Sequence, residues 1–359
     1  MHAFAILGLS RCECLQALSV LATRITLTRL SSSDTPVMTK RFRADLSLAF
    51  CSLLWGATFA VVKNSLDYSS VFVFLAARFT LAALLMAAFR PHVFRTLERE
   101  ELLAGAALGF FMFGGYAFQT AGLEYTTPAK SGFVTGSSVV MVPLLLGIFW
   151  RRRLTRWVYG GVFAAALGLY FLTVPSEGLS HLNRGDLLTF VAAGLYAMHI
   201  ILVGDYTRRH SVAALSVLQV AACAALAWLA TGLGSLSGWQ PARFAWQGKA
   251  LLGMAICAVL ATAVAFSIQL WAQQYTTSSH AAILFTLEPV FASMTSYILL
   301  RERLGNRALF GAAFVLAGIL IAELLGPPAA PESPEPTAAE PPESPPPMSA
   351  RRIAIATRR

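Results

Sequence analysis

The sequence predicts an all-α integral membrane protein: ten transmembrane helices arranged as two inverted five-helix repeats. Three observations predict it. The hydrophobic fraction is 56% and the charged fraction only 13%, with a mean hydropathy of +0.62, whereas soluble chains carry about 25% charged residues. Apolar runs of helix-spanning length recur along nearly the whole chain. A bilayer core takes about 20 such residues per helix and leaves the backbone to satisfy its own hydrogen bonds. Finally, the chain repeats itself. Gln119–Leu154 and Gln269–Leu304 stand 150 positions apart and align without a gap. Tyr125, Thr126 and Thr127 face Tyr275, Thr276 and Thr277, and Arg151, Arg153 and Leu154 face Arg301, Arg303 and Leu304. Gly161 and Gly168 then face Gly311 and Gly318.

The predicted spans, in order, are 45–63, 70–89, 102–123, 129–150, 157–174, 185–204, 212–231, 249–271, 280–300 and 307–325. Short connections make consecutive helices antiparallel neighbours, and abundant small residues, as in 105–115 and 160–168, permit close helix packing in lipid. The first spans repeat at an offset of 141: Asp45 faces Asp186, Trp55 faces Tyr196, Thr58 faces His199 and Arg78 faces Gln219. The offset grows to 150 because the loop around Gly232 to Gly248 is nine residues longer than its partner. Residues 44–175 and 176–326 are thus two copies of a five-helix unit. An odd number of spans sets the second copy upside down, and inverted repeats with a site between them are a transporter architecture.

Two segments stand outside the repeats. Residues 1–43 hold Arg11, Arg24 and Arg29 among Ser and Thr. They read either as a targeting peptide or as an over-extended start ahead of Met38. Residues 327–359 contain ten of the 17 prolines, a composition that builds no core and reads as a disordered tail. Loop arginines after spans 2 and 4 place both termini in the cytoplasm under the positive-inside rule, with the inner membrane as location. Arg301, Arg303 and Arg307 run against that rule, as an inverted copy of a basic loop would. The net charge of +10 is therefore loop charge facing anionic lipid, and nucleic acid is not an expected partner. Of five cysteines, Cys51, Cys223 and Cys257 lie in apolar runs, and Cys12 and Cys14 lack a second pair, so neither disulfide nor metal site is expected.

Ionisable groups within spans mark function by default, since each costs at least about 2.5–3.5 kcal/mol unless paired or hydrated. Glu288, beside Pro289, is the clearest, and its counterpart in the first copy is Ser138. It reads as a proton or cation site, or a contact for a basic group, at a helix break; the bland alternative is a neutral side chain bonded to a neighbouring helix. Arg78 reads as a carboxylate partner, an interhelical ion pair or a snorkelling side chain. His199 reads as a proton relay or a hydrogen-bonded packing residue. Trp55 and Tyr196 sit one helical turn before Thr58 and His199, on the same helix faces, and are expected to line a cavity rather than the interface. Gln119 and Gln269, also matched, read as polar lining or interhelical glue. No phosphate-cradling loop, HExxH or dinucleotide fingerprint is present, so neither enzyme activity nor a cofactor is expected.

The segments LLWGATFAVVK (53–63), AARFTLAALL (76–85) and LEPVFASMTSYILLRERL (287–304), with the glycine-spaced last helix, resemble the EamA branch of the drug/metabolite transporter superfamily. The resemblance covers about residues 44–325. It implies a ten-helix inverted repeat that moves amino acids, related metabolites or toxic compounds, many members being exporters. It also implies a central cavity including Trp55, Gln119, Tyr196, His199, Gln269 and Glu288. One departure stands out: Glu302 supplies an acid after span 9 that the family often also has after span 4, where Arg152 stands here. The expected function is secondary transport of a small organic substrate, with protons as a candidate coupling partner. The alternative is a membrane scaffold or sensor that binds a metabolite without moving it.

Overall fold

The computed structural model describes residues 35–95, 97–151, 155–174 and 183–325. The extension up to residue 34, the Pro-rich tail 327–359, and Arg152, Arg153 and Leu154 lie outside the described residues. The first half of the chain contains α1 (Thr35–Leu66), α2 (Val71–Phe89), α3 (Arg99–Leu123), α4 (Pro128–Gly136), α5 (Ser138–Phe149) and α6 (Arg156–Thr173). The second contains α7 (Arg184–Tyr206), α8 (Val212–Leu236), α9 (Gly248–Ala258), a π turn (Val259–Val264), α10 (Ala265–Gln273), α11 (Ser278–Phe285), α12 (Leu287–Leu300) and α13 (Asn306–Leu324). No strand occurs among the described residues.

Eight helical stretches are long and apolar enough to cross a membrane. Among them, α4–α5, α9–α10 and α11–α12 each count as one span, and this is a multi-pass membrane protein. The two helices outside that set are α6, whose 18 residues include Arg156, Tyr159, Gly160 and Gly161 near its start, and α13, whose apolar part runs over Asn306–Ile321. The helix α1 also begins at Thr35, ten residues ahead of the first predicted span, so the end of the 1–43 segment is helical.

Three predicted spans are interrupted: the one over α9–α10 by the π turn, and two others by breaks in the helix. In the second copy the break at Thr286 falls where Pro289 denies Phe285 its usual i→i−4 bond; the Thr286 N–H turns back to Ile283 at 3.0 Å instead. The break at Ser137 was not expected. There the side-chain hydroxyl donates to the Val134 carbonyl at 2.6 Å and the backbone tightens to an i→i−3 turn, local bonding that competes with the helix ladder. Both broken spans open alike: Thr127 accepts from the Lys130 N–H at 3.5 Å and Thr277 from the His280 N–H at 3.2 Å. Both close alike too, on Arg151 and Arg301 in the left-handed conformation at φ 53° and 56°.

Packing joins elements across the two copies. The helix α6 lies on α13, α3 on α7 and α8, α2 on α8, and α1 on α10 and α12. The α6–α13 contact is backbone to backbone. A Cβ on Gly168 would sit 2.6 Å from the Gly311 carbonyl, and one on Gly318 would sit 2.5 Å from the Gly161 carbonyl. The chains therefore run antiparallel, and only glycine permits that approach. A strap ties two loops at one end of the bundle: Ser70 N–H donates to Arg243 O at 2.9 Å, and Ala245 N–H to Tyr68 O at 2.7 Å. Outward faces carry Phe89, Phe163, Leu229, Leu233 and Ile298, all more than half exposed, which suits contact with lipid chains.

Candidate binding cavity

The π turn between α9 and α10 organises one wall of a cavity. Its wider winding breaks the helical ladder. Thr262 Oγ1 donates back to the Cys257 carbonyl at 2.8 Å, and the Ala261 carbonyl accepts Trp55 Nε1 at 2.9 Å. That bond fixes the Trp55 indole between Phe266 and Phe285, with ring centroids 5.3 and 5.2 Å away. An indole whose N–H is satisfied presents only apolar surface to the space beside it.

The facing wall comes from α3, α4 and α7. The Tyr196 hydroxyl donates to Gln119 Oε1 at 3.1 Å, and Gln119 Nε2 donates to Thr135 Oγ1 at 2.9 Å. Tyr116 stands edge-on to Tyr196 at 5.5 Å and meets Phe266 at 6.2 Å, joining the two walls. Thr58 Oγ1 is turned onto the Trp55 carbonyl at 2.9 Å. Gln269 is buried, and its Oε1 has no hydrogen-bond partner among the described residues.

Three ionisable side chains face this space. His199 is 2% exposed; its Nε2 hydrogen-bonds Gln219 Oε1 at 3.0 Å and its ring stands edge-on to Phe266. Arg78 is 1% exposed and so does not snorkel: its Nε donates to Thr262 Oγ1 at 2.8 Å, and its guanidinium lies 4.6 Å from the Tyr116 ring centre. Glu288 is half-buried, on the first turn of α12. Its place is set by close backbone approach, since a Cβ on Gly56 would lie 2.5 Å from the Glu288 carbonyl oxygen. The Glu288 carboxyl forms no hydrogen bond or ion pair among the described residues.

All of the sequence-derived candidates, Trp55, Thr58, Arg78, Gln119, Tyr196, His199, Gln269 and Glu288, line this one cavity. It encloses ≈ 60 Å³, enough for a few waters. Sequence reasoning passed over Tyr116, Phe266, Thr135 and Phe285, although the signal was available. The 150-residue offset that pairs Gln119 with Gln269 also pairs Tyr116 with Phe266, Thr135 with Phe285 and Ser138 with Glu288, and all of these line the cavity. Thr262 and the π turn left no such signal, because a helix of small apolar residues reads the same with or without one extra residue in a turn.

A model of the EamA-like transporter family matches the chain twice, over residues 42–174 and 183–324. The chain belongs to that family. An uncharacterized transporter of Archaeoglobus fulgidus is 34% identical over 285 residues, covering 79% of this chain and 87% of the relative. The threonine/homoserine exporter RhtA of Escherichia coli (strain K12) is 26% identical over 279 residues, or 76% of this chain and 88% of RhtA. A solved crystal structure with 18% identity superposes with a TM-score of 0.58 over 79% of this chain and 97% of its own, a likeness of fold. This EamA chain is thus a membrane transporter whose cavity lies between its two family-matching blocks.

Proposed function

We propose that this EamA protein is a secondary transporter, not an enzyme, that exports a small organic metabolite across the plasma membrane by alternating access. The pairing of the cavity lining carries the reading. Trp55 with Tyr196, Thr58 with His199, Gln119 with Gln269 and Ser138 with Glu288 are counterparts from the two copies. A site shared by two inverted copies is what rocking about a midplane needs. The reciprocal Gly168–Gly311 and Gly161–Gly318 approaches support the inverted two-fold, because exchanging the copies turns one contact into the other. In this reading α6 and α13 are the fifth and tenth spans, and both termini face the cytoplasm. The E. coli relative's name supports export.

The aromatic rings would hold the apolar part of the solute, with Gln119 and Gln269 as amide contacts. Glu288, the one carboxyl on the lining among the described residues, would take a proton or a basic group. The test compares metabolites in medium and cytosol of a host lacking related exporters, expressing wild type or Glu288→Ala at matched membrane levels. Accumulation outside with wild type alone supports both export and the role of Glu288. Export by both proteins removes Glu288 from the mechanism. Ligand binding to the purified protein with no flux in vesicles selects a metabolite-binding scaffold or sensor instead.

A further inference from the structure

Arg78 is an unusual cation to leave inside a membrane protein. A guanidinium has five donors, stays charged and accepts no hydrogen bond. Its Nε is well bonded to Thr262, but Nη2 reaches the Tyr116 hydroxyl and the Ala261 carbonyl only at 3.4 and 3.5 Å. Among the described residues Nη1 makes no hydrogen bond, and no carboxylate lies within ion-pair distance of the guanidinium. The Tyr116 and Phe79 ring faces, 4.6 and 5.3 Å from the guanidinium carbon, offset part of the desolvation but complete none of the donors.

The one carboxyl that could neutralise it, Glu288, lines the same cavity and is equally unpaired. Opposite charges confined in one space of low polarity attract strongly unless the scaffold holds them apart. Here it does: Arg78 is held on the π turn through Thr262, and Glu288 rides on α12, where α12 touches α1 at Gly56.

We infer that Arg78 is the anion subsite of the cavity, receiving the carboxylate of the solute on donors that the protein leaves open. The inference rests on the transport reading only in taking the cavity as a solute site. A carboxylate fits better than a phosphate, since a single guanidinium balances one negative charge and its planar fork matches two coplanar oxygens. Thr262 is the positioning residue: its hydroxyl accepts Nε and donates to Cys257, so it fixes the plane of the fork from outside the solute space. The second half has no equivalent, because Gln219 stands where Arg78 would, carries no charge and is not part of the cavity lining.

The experiment uses the full chain in lipid nanodiscs and reads thermal unfolding against paired probes: sodium benzoate with benzamide, and L-threonine with L-threoninamide. Wild type should be stabilised by each carboxylate at a concentration about tenfold below that of its amide, the worth of one charge-assisted hydrogen bond. Arg78→Gln should abolish that preference, Arg78→Lys should keep part of it, and Thr262→Val should weaken it. Equal stabilisation by acid and amide in wild type overturns the inference, as does no response to either pair, or a preference that survives in Arg78→Gln. If Arg78→Gln does not fold, the wild-type pairs and Thr262→Val decide. The same samples in proteoliposomes separate the two readings. Carboxylate preference without flux keeps the anion subsite and removes transport, while flux without preference does the reverse.

Discussion

The two halves of the chain share a frame and differ in their charges. Both open their broken span with a threonine cap at a matched position, both close it on a left-handed arginine, and both send a glycine-spaced last helix against its counterpart. The side chains turned into the cavity then diverge. Ser138 stands opposite Glu288 and Thr58 opposite His199, and Arg78 on the lining is matched by Gln219, which is buried behind His199. Backbone geometry at an interface between copies is set by both of them, so a change in one must be met in the other. A side chain facing free space meets no such demand. The symmetric part of the molecule therefore supports the fold, and under the proposed transport reading the asymmetric part is where a solute would be recognised.

The largest effect should come from breaking the shared frame. Gly311→Leu puts a branched side chain where Gly168 O is 2.6 Å from even a Cβ. The helices must separate, at about 1–3 kcal/mol or more. Membrane-inserted, folded protein measured by detergent-resistant gel filtration should fall severalfold or vanish, while a change at Gly160, which has nothing within 4 Å, should be silent.

Next is the asymmetric carboxyl. Glu288→Gln should fold normally and lose export by about tenfold or more, or lose its dependence on pH, in a vesicle flux assay across buffers. Flux that is unchanged at every pH removes Glu288 as coupling group. Moving the carboxyl sharpens the contrast. In Glu288→Ser/Ser138→Glu the acid returns to the cavity at the matched position, but without Pro289 beside it. If position matters, flux stays low; if a carboxyl anywhere on the lining suffices, flux recovers.

The smallest effect belongs to the ends of the spans. His280 Nε2 lies 3.1 Å from Asp45 Oδ1, whereas the matched acid in the second copy, Asp186, takes its hydrogen bond from Thr126. His280→Ala should therefore cost about 0.2–1 kcal/mol of thermal stability, a smaller effect than either change above. An unchanged melting temperature would show that this contact contributes nothing.

Much of this was legible beforehand because lipid leaves the chain few options. Apolar run lengths expose the helices, and the 141 and 150 offsets expose the matched positions, so Trp55 and Tyr196 could be placed facing one space from residues alone, whereas Gln119 and Gln269 were placed there only by the family resemblance. Glu288 and Arg78 announced themselves by cost. What the sequence did not carry was local winding. The break at Ser137 depends on where one hydroxyl points, and the π turn on a choice between nearly equal ladders, so neither leaves a mark in hydropathy. Nor did residue types alone tell that His199 would be engaged by Gln219 while Arg78 and Glu288 stayed unpaired.

The strap between the α1–α2 and α8–α9 loops has a kinematic meaning. The α1–α2 loop is only four residues long, and Ser70 and Tyr68 hold the opposite loop through backbone bonds that no replacement short of proline removes. Four helices are thus tied at one corner. In the proposed alternating access that corner would be the fulcrum, and the stroke would grow with distance towards the opposite end.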